Sequence, residues 1–168
     1  MKTRLLLSIL AITGFTSTTF AQATDVATAT ATIVTPISIA KTADMSFGNI
    51  AVSATSGGTV VLATAGTRSS TSGVTLPATA GTVSAAAFTV TGTGSFTYTI
   101  TLPSSVTLTH TNGTDQMTAS SFTSNPSGTG ALTSGTQSIA VGATLTVAAG
   151  QASGVYTSGN FNVTVNYN

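Results

Sequence analysis

The sequence predicts an all-β protein, an antiparallel β-sandwich, and three observations carry that expectation. Apolar and hydroxyl-bearing residues alternate with period two in run after run. Turn signals rich in Gly, Pro, Asn and Ser separate these runs at short intervals. Beyond the N-terminal leader no segment shows the 3.6-residue apolar period of a helix. Composition points the same way. Thr, Ala, Ser and Gly dominate, Glu and Trp are absent, and the branched Cβ of Thr packs well on a pleated surface. Short strands at this spacing fit an immunoglobulin-like sandwich of two antiparallel sheets.

Taken in order, residues 1–23 read as a secretory signal peptide. Lys2 and Arg4 supply the positive start, Leu5 to Ile12 a short apolar run, and Thr19-Phe20-Ala21 and Ala21-Gln22-Ala23 the small residues of an exit. Cleavage is expected after Ala21 or Ala23. The apolar run falls short of the roughly 20 residues a spanning helix needs. Export is the expectation, through the periplasm to the cell surface.

Residues 24–35 form the next unit. Ala27, Ala29, Ala31 and Ile33 fall on one face and Thr28, Thr30 and Thr32 on the other, and Thr35-Pro36 then interrupts. Proline lacks the backbone donor and sits at strand starts and edges. The pattern predicts an N-terminal arm over 24–35 and a domain over 36–168, whose first strand starts near Ile37.

Within the domain, Ser95–Leu102 places Phe96, Tyr98, Ile100 and Leu102 on one face. Ile139–Val147 does the same with Ile139, Val141, Ala143, Leu145 and Val147, and Phe161–Asn168 with Phe161, Val163, Val165 and Tyr167. Shorter runs at Thr59–Ala63, Ala87–Thr91, Val106–Thr109 and Met117–Thr123 follow the same rule. Gly92-Thr93-Gly94 is expected to close a hairpin between Ala87–Thr91 and Ser95–Leu102, and Asn112-Gly113 a second one.

Charge excludes several function classes. Charged residues make up 4% of the sequence, and past the leader Lys41 and Arg68 face Asp25, Asp44 and Asp115, a net charge of −1. So few cations cannot neutralise many phosphates, and nucleic acid is not an expected partner. There is no Cys, so no disulfide stabilises the fold.

No catalytic, cofactor or metal site emerges. His110, the single histidine, ends the Val106, Leu108 face beside Asn112-Gly113, with Asp115 as the nearest carboxylate. Serine is abundant, but no Gly-x-Ser-x-Gly elbow is present. Paired carboxylates for glycoside chemistry would have to include two of Asp25, Asp44 and Asp115, one of which lies in the arm. Asn112, Asp115 and Gln116 offer too little charge for calcium, which takes 6–8 oxygen ligands. The expected reading is a non-enzyme without cofactors.

Both ends of the chain resemble a known architecture. Gly154-Val155-Tyr156, followed by Phe161-Asn162-Val163-Thr164-Val165-Asn166-Tyr167-Asn168, resembles the C-terminus of chaperone–usher pilins, with its alternating last strand, penultimate Tyr and preceding Gly. The Ala/Thr alternation, Pro36-Ile37-Ser38-Ile39 and Met45-Ser46-Phe47-Gly48-Asn49-Ile50 resemble the Mat/Ecp common-pilus major subunits. They are also similar to a family of small secreted bacterial domains of unknown function. That likeness extends over Phe88-Thr89-Val90-Thr91-Gly92 and Tyr98-Thr99-Ile100-Thr101-Leu102-Pro103. The resemblance implies a pilin-type fold and donor-strand complementation. A periplasmic chaperone first fills an apolar groove, and at an outer-membrane usher the arm of the next copy, or of a related pilin, replaces it. Ala27, Ala29, Ala31 and Ile33 would then insert. Gly154, Phe161, Val163, Val165 and Tyr167 would form the C-terminal pilin-like strand. The disulfide common in such pilins has no counterpart here.

Two other readings stay open. Thr-x-Thr pairs at Thr28 to Thr32, Thr89 to Thr93, Thr97 to Thr101 and Thr107 to Thr111 suit a monomeric secreted binding module, an adhesin or ice-binding protein. Strand alternation also suits an outer-membrane β-barrel, although aromatic residues are too few for two girdles.

Overall fold

A computed structural model describes residues 20–71 and 73–168; of the leader expected over residues 1–23, residues 1–19 lie outside them. The described residues form thirteen strands and no helix. They are β1 (Ser38–Ala43), β2 (Ala51–Val52), β3 (Gly58–Leu62), β4 (Arg68–Ser70), β5 (Val74–Thr75), β6 (Ala86–Thr91) and β7 (Thr97–Thr101). β8 (Ser105–His110), β9 (Gln116–Asn125), β10 (Thr129–Ala131), β11 (Thr136–Val147), β12 (Tyr156–Ser158) and β13 (Thr164–Tyr167) complete the set. Every ladder is antiparallel.

An eight-stranded sheet runs β1-β6-β11-β9-β8-β12, with β3 also beside β11 and β4 beside β3, and it curls as a half-barrel. A three-stranded sheet, β10-β7-β13, and a two-strand ladder, β2-β5, accompany it. The organising element is β11. One edge pairs with β9, while the other pairs first with β6 (Thr136 to Val141) and then with β3 (Ala143 to Val147). The sheet forks at Gly142, where a Cβ would fall 2.2 Å from the Leu62 carbonyl oxygen, so only glycine lets β3 end that close.

The core divides along the same strand. Ile139 and Val141, with Phe88 and Val90 of β6, pack against Tyr98, Ile100, Leu132 and Val165 around the three-stranded sheet. Ala143, Leu145 and Val147, with Val60, Leu62 and Ala119, pack beneath Phe47 and Val74. Met45 and Phe122 touch both clusters. Tyr98 is fully buried, and its hydroxyl donates to Gln137 Oε1 at 2.6 Å. Desolvation raises its pKa above the ordinary phenol value.

Two sequence expectations need correction. Gly92–Gly94 closes no hairpin, because β6 pairs with β1 and β11 while β7 pairs with β10 and β13. The segment carries the chain from one sheet to the other. A Cβ on Gly92 would meet the Tyr167 hydroxyl at 2.1 Å, and the Thr93 N–H donates to that hydroxyl at 2.7 Å. Glycine is there for close approach. The second correction concerns Met117–Thr123, which belongs to a longer strand with a bulge. Ser121 has φ 49°, and the register against β11 slips between Thr123 and Ser120. Met117 and Ala119 face inward before the bulge, Phe122 and Ser124 after it. Asn112-Gly113 does close the β8–β9 hairpin, with Gly113 at φ 78°.

Residues 20–37 carry no strand; the expected arm strand over 24–35 has no ladder in the single chain, and the first strand begins at Ser38.

Gly142→Ala is expected to lower the unfolding free energy by about 1–3 kcal/mol through overpacking. The denaturant midpoint measures this, and an unchanged midpoint would show that the fork does not need glycine.

Candidate assembly cleft and N-terminal segment

A cleft of about 1220 Å³, lined by both polar and apolar groups, opens against the large sheet. Leu108, Met117, Ala119, Phe122, Leu145 and Val147 floor it. Residues 41 to 52 form one wall and residues 151 to 161 the other.

The first wall is pinned from behind. Phe47 is buried in the second cluster. Ser46 and Ser84 exchange backbone hydrogen bonds at 2.8 and 3.0 Å, and the Ser46 hydroxyl donates to the Thr82 carbonyl at 2.7 Å. Gly48 has φ 66°, and a Cβ there would stand 2.3 Å from the Ala80 carbonyl oxygen. Arg68 donates from Nη1 to the carbonyls of Phe47 (2.5 Å) and Asn49 (2.8 Å). It staples the turn to β4 from a half-buried position. Lys41 and Asp44 form an ion pair at the rim, too exposed to add more than about 1 kcal/mol.

The second wall is joined by polar contacts. β12 pairs with β8 over three residues. The His110 Nε2 lies 3.1 Å from the Ser153 carbonyl oxygen, and the Asn112 N–H donates to His110 Nδ1 at 3.0 Å. With Nδ1 accepting, Nε2 carries the proton, so both nitrogens of the neutral ring are engaged. The ring lies 4.8 Å from that of Tyr156. Asp115 accepts from the Asn112 side-chain amide at 2.6 Å, as part of the turn.

The predicted site residues fall in three places. Ala27, Ala29, Ala31 and Ile33 are exposed and outside any strand, and Ile33 is 98% exposed. Gly154 lies in the second wall with φ 146°, where a Cβ would meet His110 Nε2 at 2.0 Å. Phe161 and Val163 precede β13 and are half-buried, with the Phe161 ring 5.5 Å from that of Phe122. Val165 is buried in the first cluster. The Tyr167 hydroxyl accepts from the Thr93 N–H and donates to the Thr35 carbonyl at 3.0 Å. It ties the end of β13 to the chain entering β1.

β1 pairs only with β6, and β13 only with β7, so among the described residues each keeps one edge without a ladder partner. Lys41 and Ala43 of β1 border the same cleft as Asn160 and Phe161, which lead into β13. The cleft therefore combines an apolar floor with β1, a strand paired on one side only, at one margin, while β13 itself lies outside it. Among the described residues no group of histidines and carboxylates is placed to hold a metal ion. Sequence reasoning missed Arg68 and the part His110 plays in the second wall. Arg68 reaches its acceptors across about twenty residues, a contact no local pattern announces.

Arg68→Ala is expected to cost about 1.5–3 kcal/mol, the range for hydrogen bonds from a charged donor. Thermal melts check this, and a loss below 0.5 kcal/mol would show that the wall stands without the staple.

A family described as Domain of unknown function (DUF4402) matches residues 37–167, and the chain belongs to it. No curated protein and no solved structure matches the chain.

Proposed function

We propose that this DUF4402 chain is an exported structural subunit of a bacterial surface fibre that serves adhesion or biofilm formation. In this reading residues 24–35 of one copy lie as a strand in the cleft of the next. The observation that carries it is a cleft with an apolar floor, bordered by the singly paired strand β1, in a chain whose own alternating N-terminal segment has no ladder. Strand addition joins such partners by main-chain hydrogen bonds, with alternate side chains filling pockets. The donated strand completes an immunoglobulin-like, pilin-type sandwich by donor-strand complementation. A periplasmic chaperone and an outer-membrane usher are the partners such assembly calls for.

The arm's inserting face is uneven. Ala27, Ala29 and Ala31 bury little area, whereas Ile33 supplies about 1.5–3 kcal/mol when its side chain is fully covered. Ile33 is the anchor, and the alanines admit close approach of backbones. Free edges are usually guarded by charged side chains; β1 carries one, Lys41, which Asp44 pairs, and β13 carries none.

Purified chain starting at Thr24 is expected to form filaments visible by electron microscopy. Deleting residues 24–35 abolishes them, and Ile33→Asp reduces them at least tenfold, the equivalent of about 1.4 kcal/mol per joint. Filaments that survive the deletion would sink this reading.

A second reading, a monomeric secreted binding module, gains from one feature of the register. Thr59, Thr146, Thr118 and Thr107 stand in a single rank across β3, β11, β9 and β8. Val61, Thr144, Ser120 and Ser105 form the adjacent rank. Such an uncharged hydroxyl array suits ordered water or a polar solid. Thermal hysteresis of the monomer, lost in Thr118→Lys, would favour this reading; no hysteresis counts against it.

A further inference from the structure

We infer that residues 151–158 form a hinged strap, latched to β8 by His110, whose swing opens the cleft to the incoming strand. This rests on the reading of the cleft as a strand acceptor and adds its regulation.

The two walls of the cleft differ in how they are held. The first has Phe47 buried and Arg68 behind it. In the second, none of residues 148–160 is buried, and only Gln151 and Tyr156 are half-buried. Segments with few buried apolar contacts open at lower free energy than the core around them.

The strap's bonds fall into two sets. One set lies within it: Gln151 Nε2 donates to the Tyr156 hydroxyl at 2.9 Å, and that hydroxyl donates to the Ala152 carbonyl at 2.9 Å. These bonds persist if the strap moves as a unit. The other set reaches β8 and its turn. It comprises the short ladder of β12, the Thr111 N–H to the Val155 carbonyl at 3.1 Å, and His110 Nε2 to the Ser153 carbonyl at 3.1 Å. Beyond this set only Gln151 reaches another strand, through a 3.3 Å bond to the Gln116 carbonyl of β9. Release therefore breaks one edge ladder, the His110 contacts with Ser153 and the Tyr156 ring, and the single bonds of Val155 to Thr111 and Gln151 to Gln116, without opening either hydrophobic cluster.

Glycines bracket the moving part. Gly150, at φ 62° and held by its N–H to the Ser53 carbonyl at 2.9 Å, is the fixed end about which the strap turns, and Gly159, with no atom within 4 Å of a Cβ position, leaves the other end free to turn. Gly154 is different. Its missing Cβ is what lets Ser153 reach His110. Glycine is needed at the latch for contact and at the ends for motion. When the strap leaves, the edge of β8 from Leu108 to His110 is freed beside the apolar floor.

The chain contains no native cysteine, so the strap can be locked without interference. Thr109 and Thr157 face each other across the ladder, within the roughly 4.4–6.8 Å Cα separation a disulfide spans. In the reduced Thr109→Cys/Thr157→Cys protein, amides of 151–158 are expected to exchange hydrogen at least ten times faster than those of β9 and β11, the factor that about 1.4 kcal/mol of local opening sets. Oxidation should slow that exchange and filament growth together, and dithiothreitol should restore both. Gly154→Ala should raise the exchange in the strap while leaving β9 and β11 unchanged. Strap amides protected as well as those of β9, or filament growth indifferent to oxidation, would overturn the strap. If neither redox form makes filaments, the fibre reading fails, and hydrogen exchange alone still decides whether the strap opens.

Discussion

The twelve-residue β11 pairs with β6 and then β3 along one edge and, from Ala140 to Thr146, with β9 along the other, and one face of that strand supports both hydrophobic clusters. Ile139 and Val141 serve one, and Ala143, Leu145 and Val147 the other. The fork at Gly142 allows this, because β6 and β3 then share a single edge of the same strand. Neither cluster holds together without β11, so the two halves of the domain should lose their packing in one cooperative step. The bulge at Ser121 on β9 belongs to the same arrangement. It resets the phase of β9 where the sheet passes from one cluster to the other, which lets Phe122 reach both.

Such a design leaves little cohesion at the margins. There are no cysteines, and the ion pair of Lys41 with Asp44 is exposed. Stability comes from the two clusters and the ladders, so segments distant from β11 are held by a few polar contacts. The walls of the cleft illustrate the contrast. One sends Phe47 into a cluster and is stapled by Arg68; the other adheres to an edge strand through backbone bonds and one imidazole. Rigidity and freedom on opposite sides of an apolar groove are what strand insertion needs, since a fixed wall sets the register and a yielding one admits the side chains.

Much of this was legible in the sequence, and what was missed has physical causes. The runs containing Val60, Phe88, Tyr98, Leu108, Ile139 and Val165 lie in strands because alternation is local and survives in a single chain. β2, β4, β5, β10 and β12 span two or three residues, too few for a period to register. The hairpin expected at Gly92–Gly94 failed because turn chemistry reports backbone freedom without saying what needs it. Here the need is the Tyr167 hydroxyl, more than seventy residues away. Gly154 carries a similar lesson. Its place before the end of the chain resembled a pilin motif, while its contact is with His110, a residue weighed only as a strand-end histidine. Of the candidate site, the alternation of residues 24–35 was visible in the sequence; the cleft, lined from β1, β2, β6, β8, β9, β11 and β12, was not.

In the proposed fibre, the Ala/Thr composition of residues 24–35 can be understood from the energetics of a donated strand. A strand rich in large apolar residues would bury more area, but exposed on the free subunit it would also attach to any unpaired edge. Alanine lowers that risk, since its exposed face offers little to a mismatched partner, and it shifts the burden of the joint onto backbone hydrogen bonds, which form only in register. Ile33 then matters more than its size suggests. It is the one large residue on the face proposed to insert, and a single pocket suited to it would fix the register of the whole strand. A one-residue slip would turn Ile33 away from the groove and present threonine hydroxyls to an apolar floor. Weak side-chain burial joined to one positional anchor gives selectivity through register rather than through area, which suits a chain with almost no charge to keep wrong partners apart.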